Sequence, residues 1–180
     1  MIWEDMKESL IFRDLQVSDN KEALEILGNA MLQEGYVTED FPVAVWQREQ
    51  NFPTGLDVDG IGVAIPHTEA HHVKKEGIAL AILKETVEFD SMGDENCRIP
   101  VKIIIMFTVA GKEKHIDRLM QIVRLLQDRK FLTGILAAED KKKIIETVHQ
   151  REKIYMNDKN ANRGEKLCRK LFSVMWMELF

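Results

Sequence analysis

The chain has 180 residues, 45% hydrophobic and 31% charged, which excludes a disordered or fibrous protein and predicts one domain able to bury its own core. With 25 Lys and Arg against 30 Asp and Glu, the formal net charge is −5. No basic surplus exists to neutralise phosphates, so no nucleic-acid partner is expected, whereas a basic protein partner suits this charge.

Asp19 to Gly35 is predicted as a helix. Leu24, Ile26, Leu27, Ala30 and Met31 fall largely on one face, Asp19 followed by Glu22 resembles a capping box, and Gly35 is a natural stop. A second helix is predicted after Thr38 as N-cap, carrying Val43, Val45 and Trp46 towards Gln50. Pro53 and Gly55 in Asn51-Phe52-Pro53-Thr54-Gly55 break it. Three segments read as strands: Ile61 to Ile65, Ile78 to Leu83 and Val101 to Val109. The last two are nearly continuous apolar runs, which suit strands buried on both faces. From His115 to Gln127 the period becomes helical, with Ile116, Leu119, Met120, Val123 and Leu126 on one face. Phe131 to Ala138 and Glu139 to Ile154 read as two further short helices.

Helices before, between and after buried strands predict one α/β domain, over residues 1–155, with a central sheet covered on both sides. Residues 156–180 form a tail of unknown role: Met156 to Lys166 is polar and linker-like, and Leu167 to Phe180 is strongly apolar. That apolar run is too short to span a bilayer, so a docked C-terminal helix or a dimer contact is expected. Met1 to Met6 lacks the features of a signal peptide, and Cys97 and Cys168 form no CxxC pair. A cytoplasmic protein without membrane insertion is the expectation.

Chemistry concentrates at Gly62-Val63-Ala64-Ile65-Pro66-His67, with His71 and His72 close behind. If the chain turned helical after Pro66, His67 and His71 would face the same way, as a zinc site requires. The HExxH pattern is absent, because Thr68 takes the glutamate position; Glu69, His72 or His115 remain candidates for a third ligand. The plain alternative for His71 and His72 is a pair of surface histidines on a polar loop. His67 differs, since it follows a buried strand and a proline that fixes its backbone path. A neutral imidazole there suits nucleophilic phosphoryl chemistry. Cationic or N–H donors are then needed on the transferring oxygens, and Arg48 and His115, at a predicted helix start, are the nearest candidates.

Arg48-Glu49-Gln50-Asn51-Phe52-Pro53-Thr54-Gly55-Leu56, followed by Gly62 to His67, resembles the active-site region of enzyme IIA of the bacterial sugar phosphotransferase system, fructose/mannitol type. Phe52-Pro53-Thr54-Gly55 and Ile65-Pro66-His67-Thr68-Glu69-Ala70-His71-His72 look most like the galactitol-specific branch. The resemblance covers about residues 8 to 150. It implies a mixed, mostly parallel sheet between helices. His67 would be phosphorylated by the phosphocarrier HPr and would pass the group to a cysteine of enzyme IIB, with Arg48 steadying the phosphate. His115 falls near an assisting histidine of mannitol-type members. His72 matches a histidine of the galactitol branch. No cofactor or metal is implied, and the link to the membrane is functional, through the IIC component. Both handovers require an exposed His67 in a shallow depression, with Phe52, Pro53 and Ile61 in its apolar rim. The rivals are a regulatory nitrogen-type or regulator-associated IIA-like module and a zinc-dependent hydrolase.

Overall fold

The computed structural model describes residues 2–110 and 112–157. After a short 3-10 turn at Ile2–Asp5 come β1 (Met6–Leu15), α1 (Asn20–Gln33), α2 (Phe41–Asn51), β2 (Gly55–Val58) and β3 (Ile61–Ala64). A 3-10 turn at Ala70–His72 leads to β4 (Gly77–Ser91), β5 (Asp94–Thr108), α3 (Lys112–Leu126), α4 (Arg129–Ala137) and α5 (Lys141–Asn157). The expectations for the segment beyond Asn157 lie outside the described residues.

β4 and β5 form one long antiparallel hairpin, and the other strands are laid against it. β1 runs parallel to the first half of β4, and β3 runs parallel to β5 from Gly62↔Val101 to Ala64↔Ile104. β2 folds back on β3 and meets the end of β4 at Gly55↔Ser91. Three of the five pairings are parallel, so the sheet is mixed and mostly parallel as the resemblance implies, although its longest pairing is antiparallel.

Alternation along the strands builds two cores. In β4, Ile78, Leu80 and Ile82 face α3, α4 and α5, while Ala79, Ala81 and Leu83 face α1 and α2. In β5, Ile103, Ile105 and Phe107 take the first side, and Ile104 and Met106 the second. Beyond Leu83 the pattern becomes one-sided: Val87 and Phe89 are buried, whereas Glu88 and Asp90 are exposed. This outer half of the hairpin extends the apolar runs seen in sequence by some eight residues at one strand end and seven at the other, roughly 23–27 Å of strand.

The helix ends follow local chemistry. Asp19 caps α1 by accepting from the Glu22 N–H at 2.8 Å, and Gly35 closes it with φ +73°. At α2 the expected cap is displaced: Asp40, not Thr38, is the N-cap residue. Thr38 is engaged differently: its N–H donates to the His72 carbonyl at 2.9 Å, and its hydroxyl donates to Asp40 Oδ1 at 2.5 Å. Among the described residues, no helix is long and apolar enough to cross a membrane.

Candidate functional site

The site lies where α2 ends, the 52–54 turn begins β2, and β3 delivers the chain to Pro66 and His67. Ile65 and Phe107 are buried to within 1% of full burial, and each such side chain stabilises by about 1.5–3 kcal/mol. Apolar packing therefore holds the strand ends that carry the polar groups. The Phe107 N–H donates to the Pro66 carbonyl at 3.3 Å, and the His67 ring stacks on Phe107 with centroids 4.9 Å apart and planes at 26°.

His67 is only 4% exposed. Its Nδ1 stands 2.9 Å from the Ile65 carbonyl and its Nε2 stands 3.3 Å from Arg48 Nη2. A carbonyl can only accept and a guanidinium can only donate. The two contacts together place the ring proton on Nδ1 and the lone pair on Nε2, facing Arg48. The shallow, open depression expected around His67 is thus closed in this structure by the arginine itself.

Arg48 is held from three sides. Its guanidinium carbon lies 5.0 Å from the centroid of Phe52, and its Nη1 lies 3.9 Å from Glu69 Oε1. The Thr68 hydroxyl donates to Glu69 Oε2 at 2.6 Å, and that bond, followed by the residue's own backbone N–H and then the charge of Arg48, holds the Glu69 carboxyl below its usual range against partial burial.

Glu49 is next to Arg48 in sequence but points inward, and is 5% exposed. It continues the buried face of α2 set by Phe41 and Val45, at four-residue steps. Both of its oxygens are taken by one residue: Oε1 accepts the Thr54 N–H at 2.8 Å and Oε2 the Thr54 hydroxyl at 2.7 Å. Burial pushes the Glu49 carboxyl up to about 7, against the Thr54 hydrogen bonds that favour its ionised form. Thr54 Oγ1 in turn accepts the Ile65 N–H at 3.2 Å. Glu49 and Thr54 belong to the quoted motif, but sequence reasoning gave them no role. The four-residue step from Val45 was the available sign that Glu49 is buried.

The other expected residues are placed unevenly. Phe52 and Pro53 are half-buried, and Phe52 lies against Arg48. Ile61 sits at the far end of β3, roughly 13 Å of strand from Ile65, and packs at the edge of the α3–α5 core. His72 Nδ1 lies 3.1 Å from Asp40 Oδ2, and the Thr38 hydrogen bond, followed by this His72 contact, holds the Asp40 carboxyl low. His72 thereby ties the loop to the start of α2. His71 is exposed, with its ring 3.8 Å from that of His72. The chain after Pro66 is helical only as the 3-10 turn Ala70–His72, so His67 and His71 do not share the helix face that the zinc reading required. Among the described residues, no group of three His, Cys, Asp or Glu is placed to hold a metal ion. His115 falls within α3, but its side chain lies outside those described.

Comparison with known proteins identifies the family and the fold. The family model for the phosphoenolpyruvate-dependent sugar phosphotransferase system, EIIA 2, matches residues 5–151. The galactitol-specific EIIA component of Escherichia coli (strain K12) is 34% identical over 109 residues, covering 61% of this chain and 72% of that protein. The multiphosphoryl transfer protein of Shigella flexneri is 31% identical over 140 residues, covering 75% of this chain; the match spans 16% of the length of that relative. Mannitol enzyme IIA of Escherichia coli, solved in complex with phosphorylated enzyme IIB, shares the fold, with a TM-score of 0.68 at 21% identity over 81% of this chain and 97% of that one. The chain belongs to the EIIA 2 family of the phosphoenolpyruvate-dependent sugar phosphotransferase system.

Proposed function

We propose that residues 1–155 act as a phosphocarrier in galactitol-type sugar uptake, with His67 accepting a phosphoryl group from phospho-HPr and passing it to a cysteine of enzyme IIB. The observation that carries this reading is the His67 Nε2 lone pair held towards a guanidinium. Nε2 attacks phosphorus as the donor's P–N bond breaks, and the donor imidazole leaves. Arg48 exchanges its contact with Nε2 for the equatorial phosphoryl oxygens, where charge is greatest in transfer. The proton on Nδ1 stays, shared with the Ile65 carbonyl. The phosphorylated ring therefore becomes cationic and a good leaving group, so a IIB thiolate displaces it without a separate activation step. Arg48 supplies the electrostatic stabilisation, and the transfer as written uses no metal or cofactor.

The likeness to the galactitol-specific component supports the sugar class, and the mannitol complex supports a IIB partner. The test is incubation with phosphoenolpyruvate, enzyme I and HPr, followed by intact mass and peptide mapping. One acid-labile phosphate on His67 is expected, and its discharge when galactitol-type IIB is added. His67→Ala should take up none while keeping its circular dichroism. Stoichiometric phosphorylation of His67→Ala would sink the assignment. A phosphate retained against every IIB would replace transport with a regulatory role.

A further inference from the structure

β2 and β3 pair up to Gly55↔Ala64, and the next pair of the ladder would be Thr54 with Ile65. At that position the acceptor of the Ile65 N–H is not a backbone carbonyl but the Thr54 hydroxyl, at 3.2 Å. The hydroxyl is itself fixed by Glu49, which also takes the Thr54 N–H. On the other side of the same residue, the Ile65 carbonyl receives His67 Nδ1–H. Four groups from the end of α2, the turn before β2 and the end of β3 thus form one line: Glu49, Thr54, Ile65, His67.

We propose that Glu49 and Thr54 are positioning residues for phosphoryl transfer: by clamping Ile65 they aim its carbonyl at Nδ1, which fixes the tautomer of His67 and presents Nε2 to the phosphoryl group. The inference rests on the phosphocarrier reading given above. A purely structural role accounts poorly for Glu49. A buried carboxyl is costly, and an apolar side chain would fill the same place on the buried face of α2 more cheaply. What only a carboxylate supplies there, in the ionised form that predominates above about pH 7, is a pair of acceptors for one threonine, which leaves the Thr54 oxygen lone pairs turned to Ile65. Pro66 removes freedom on the following peptide, and its carbonyl is held by Phe107, so the clamp on Ile65 is the remaining control on the direction of that carbonyl.

The test compares Thr54→Val, Thr54→Ser and Glu49→Gln with the wild type. Two-bond proton–nitrogen NMR of the histidine rings reads the tautomer in the unphosphorylated protein. Rapid-quench transfer from phospho-HPr reads the rate at saturation and the half-saturating concentration. In the wild type, Nδ1 carries the proton. In Thr54→Val the Nε2–H tautomer should appear, and the saturated rate should fall on the order of 10²-fold with half-saturation unchanged, as expected for a misaimed nucleophile. Thr54→Ser, which keeps the hydroxyl, should restore both. Glu49→Gln presents an N–H donor to the Thr54 oxygen, so it should shift the tautomer with the fold intact, and it decides the matter if Thr54→Val does not fold. An unchanged tautomer and rate in the folded variants would overturn the proposal, as would a loss confined to half-saturation or stability. If the wild type takes no phosphate, the phosphocarrier reading fails, and the tautomer measurement, which needs no donor, still judges the clamp.

Discussion

Arg48 and His67 meet from opposite layers: Arg48 comes from α2 on one side of the sheet, and the His67 ring lies on Phe107 in the strand face turned to α3–α5, with Nη2 and Nε2 3.3 Å apart. The arginine does two things at once. It marks the lone pair that attacks, and it covers that lone pair until a phosphoryl group with better acceptors displaces it. Arg48→Ala should therefore uncover His67 yet slow transfer from phospho-HPr by about 10²–10³-fold, the usual cost of removing one donor to developing oxyanion charge. Arg48→Lys should recover only part of the loss, because an ammonium lacks the planar fork that bridges two oxygens. Single-turnover quench kinetics measure both, and wild-type speed in Arg48→Ala would discard the role.

Glu69 competes for the same guanidinium. Its Oε1 lies 3.9 Å from Arg48 Nη1, and its side chain is 56% exposed, so the pair contributes no more than about 0.2–1 kcal/mol. Before transfer, that contact must give way to phosphoryl oxygens, and a carboxylate beside an arriving phosphate repels it. Glu69→Gln should raise the uptake rate by about 1.5- to 5-fold, the kinetic equivalent of that energy. The gain should shrink in high salt, which screens an exposed pair. A slower variant at low salt would show that Glu69 assists rather than competes.

How far the sequence reaches depends on whether a feature is local. His67 and Arg48 were legible because the residues that mark them lie in two short stretches with distinctive spacing. The apolar halves of β4 and β5 were legible for the same reason: burial on both faces writes a continuous run. β1 was not. It is an edge strand with register shifts between Met6 and Ile11 and between Phe12 and Leu15, which break the period of two. β2 was missed although Asp59 and Gly60, with φ +51° and +83°, form the two-residue turn that an Asp-Gly pair announces. The Glu49–Thr54–Ile65 line was beyond local reading, since it joins a helix, a turn and a strand end through side chains. The closure of Arg48 over His67 is likewise a tertiary relationship, which is why an exposed histidine was expected.

The backbone that carries His67 is sensitive one strand turn earlier. A Cβ on Gly62 would stand 2.1 Å from the Pro100 carbonyl oxygen and 2.9 Å from Val101 Cα, so β3 and β5 approach closely there. Both obstacles are backbone, which cannot rotate aside. Gly62→Ala should lower stability by about 1–3 kcal/mol or more through overpacking, and urea unfolding measures this. Displacement of β3 should also reduce phosphate uptake at temperatures where the variant is fully folded. An unchanged unfolding midpoint would mean that the strands separate without cost.

The burial of Glu49 makes the stability of the fold depend on pH. Glu49 has an ordinary value of 4.5 that burial pushes to about 7 in the folded chain, with Asp90 adding to the rise and Thr54 and Arg48 opposing it. Between these two values the folded state holds a proton that the unfolded chain has released. Its contribution to stability is therefore fully present below about pH 4.5 and is lost as pH rises through about 7. At 1.36 kcal/mol per pKa unit, the span corresponds to about 3 kcal/mol. Other groups titrate over the same interval, so the measured quantity is the difference between wild type and Glu49→Gln in urea unfolding at about pH 5 and about pH 8. Wild type should lose stability relative to Glu49→Gln as pH rises, because the amide never ionises. The opposite slope would mean that the Thr54 hydrogen bonds outweigh burial and that Glu49 is an ordinary, ionised carboxylate at neutral pH.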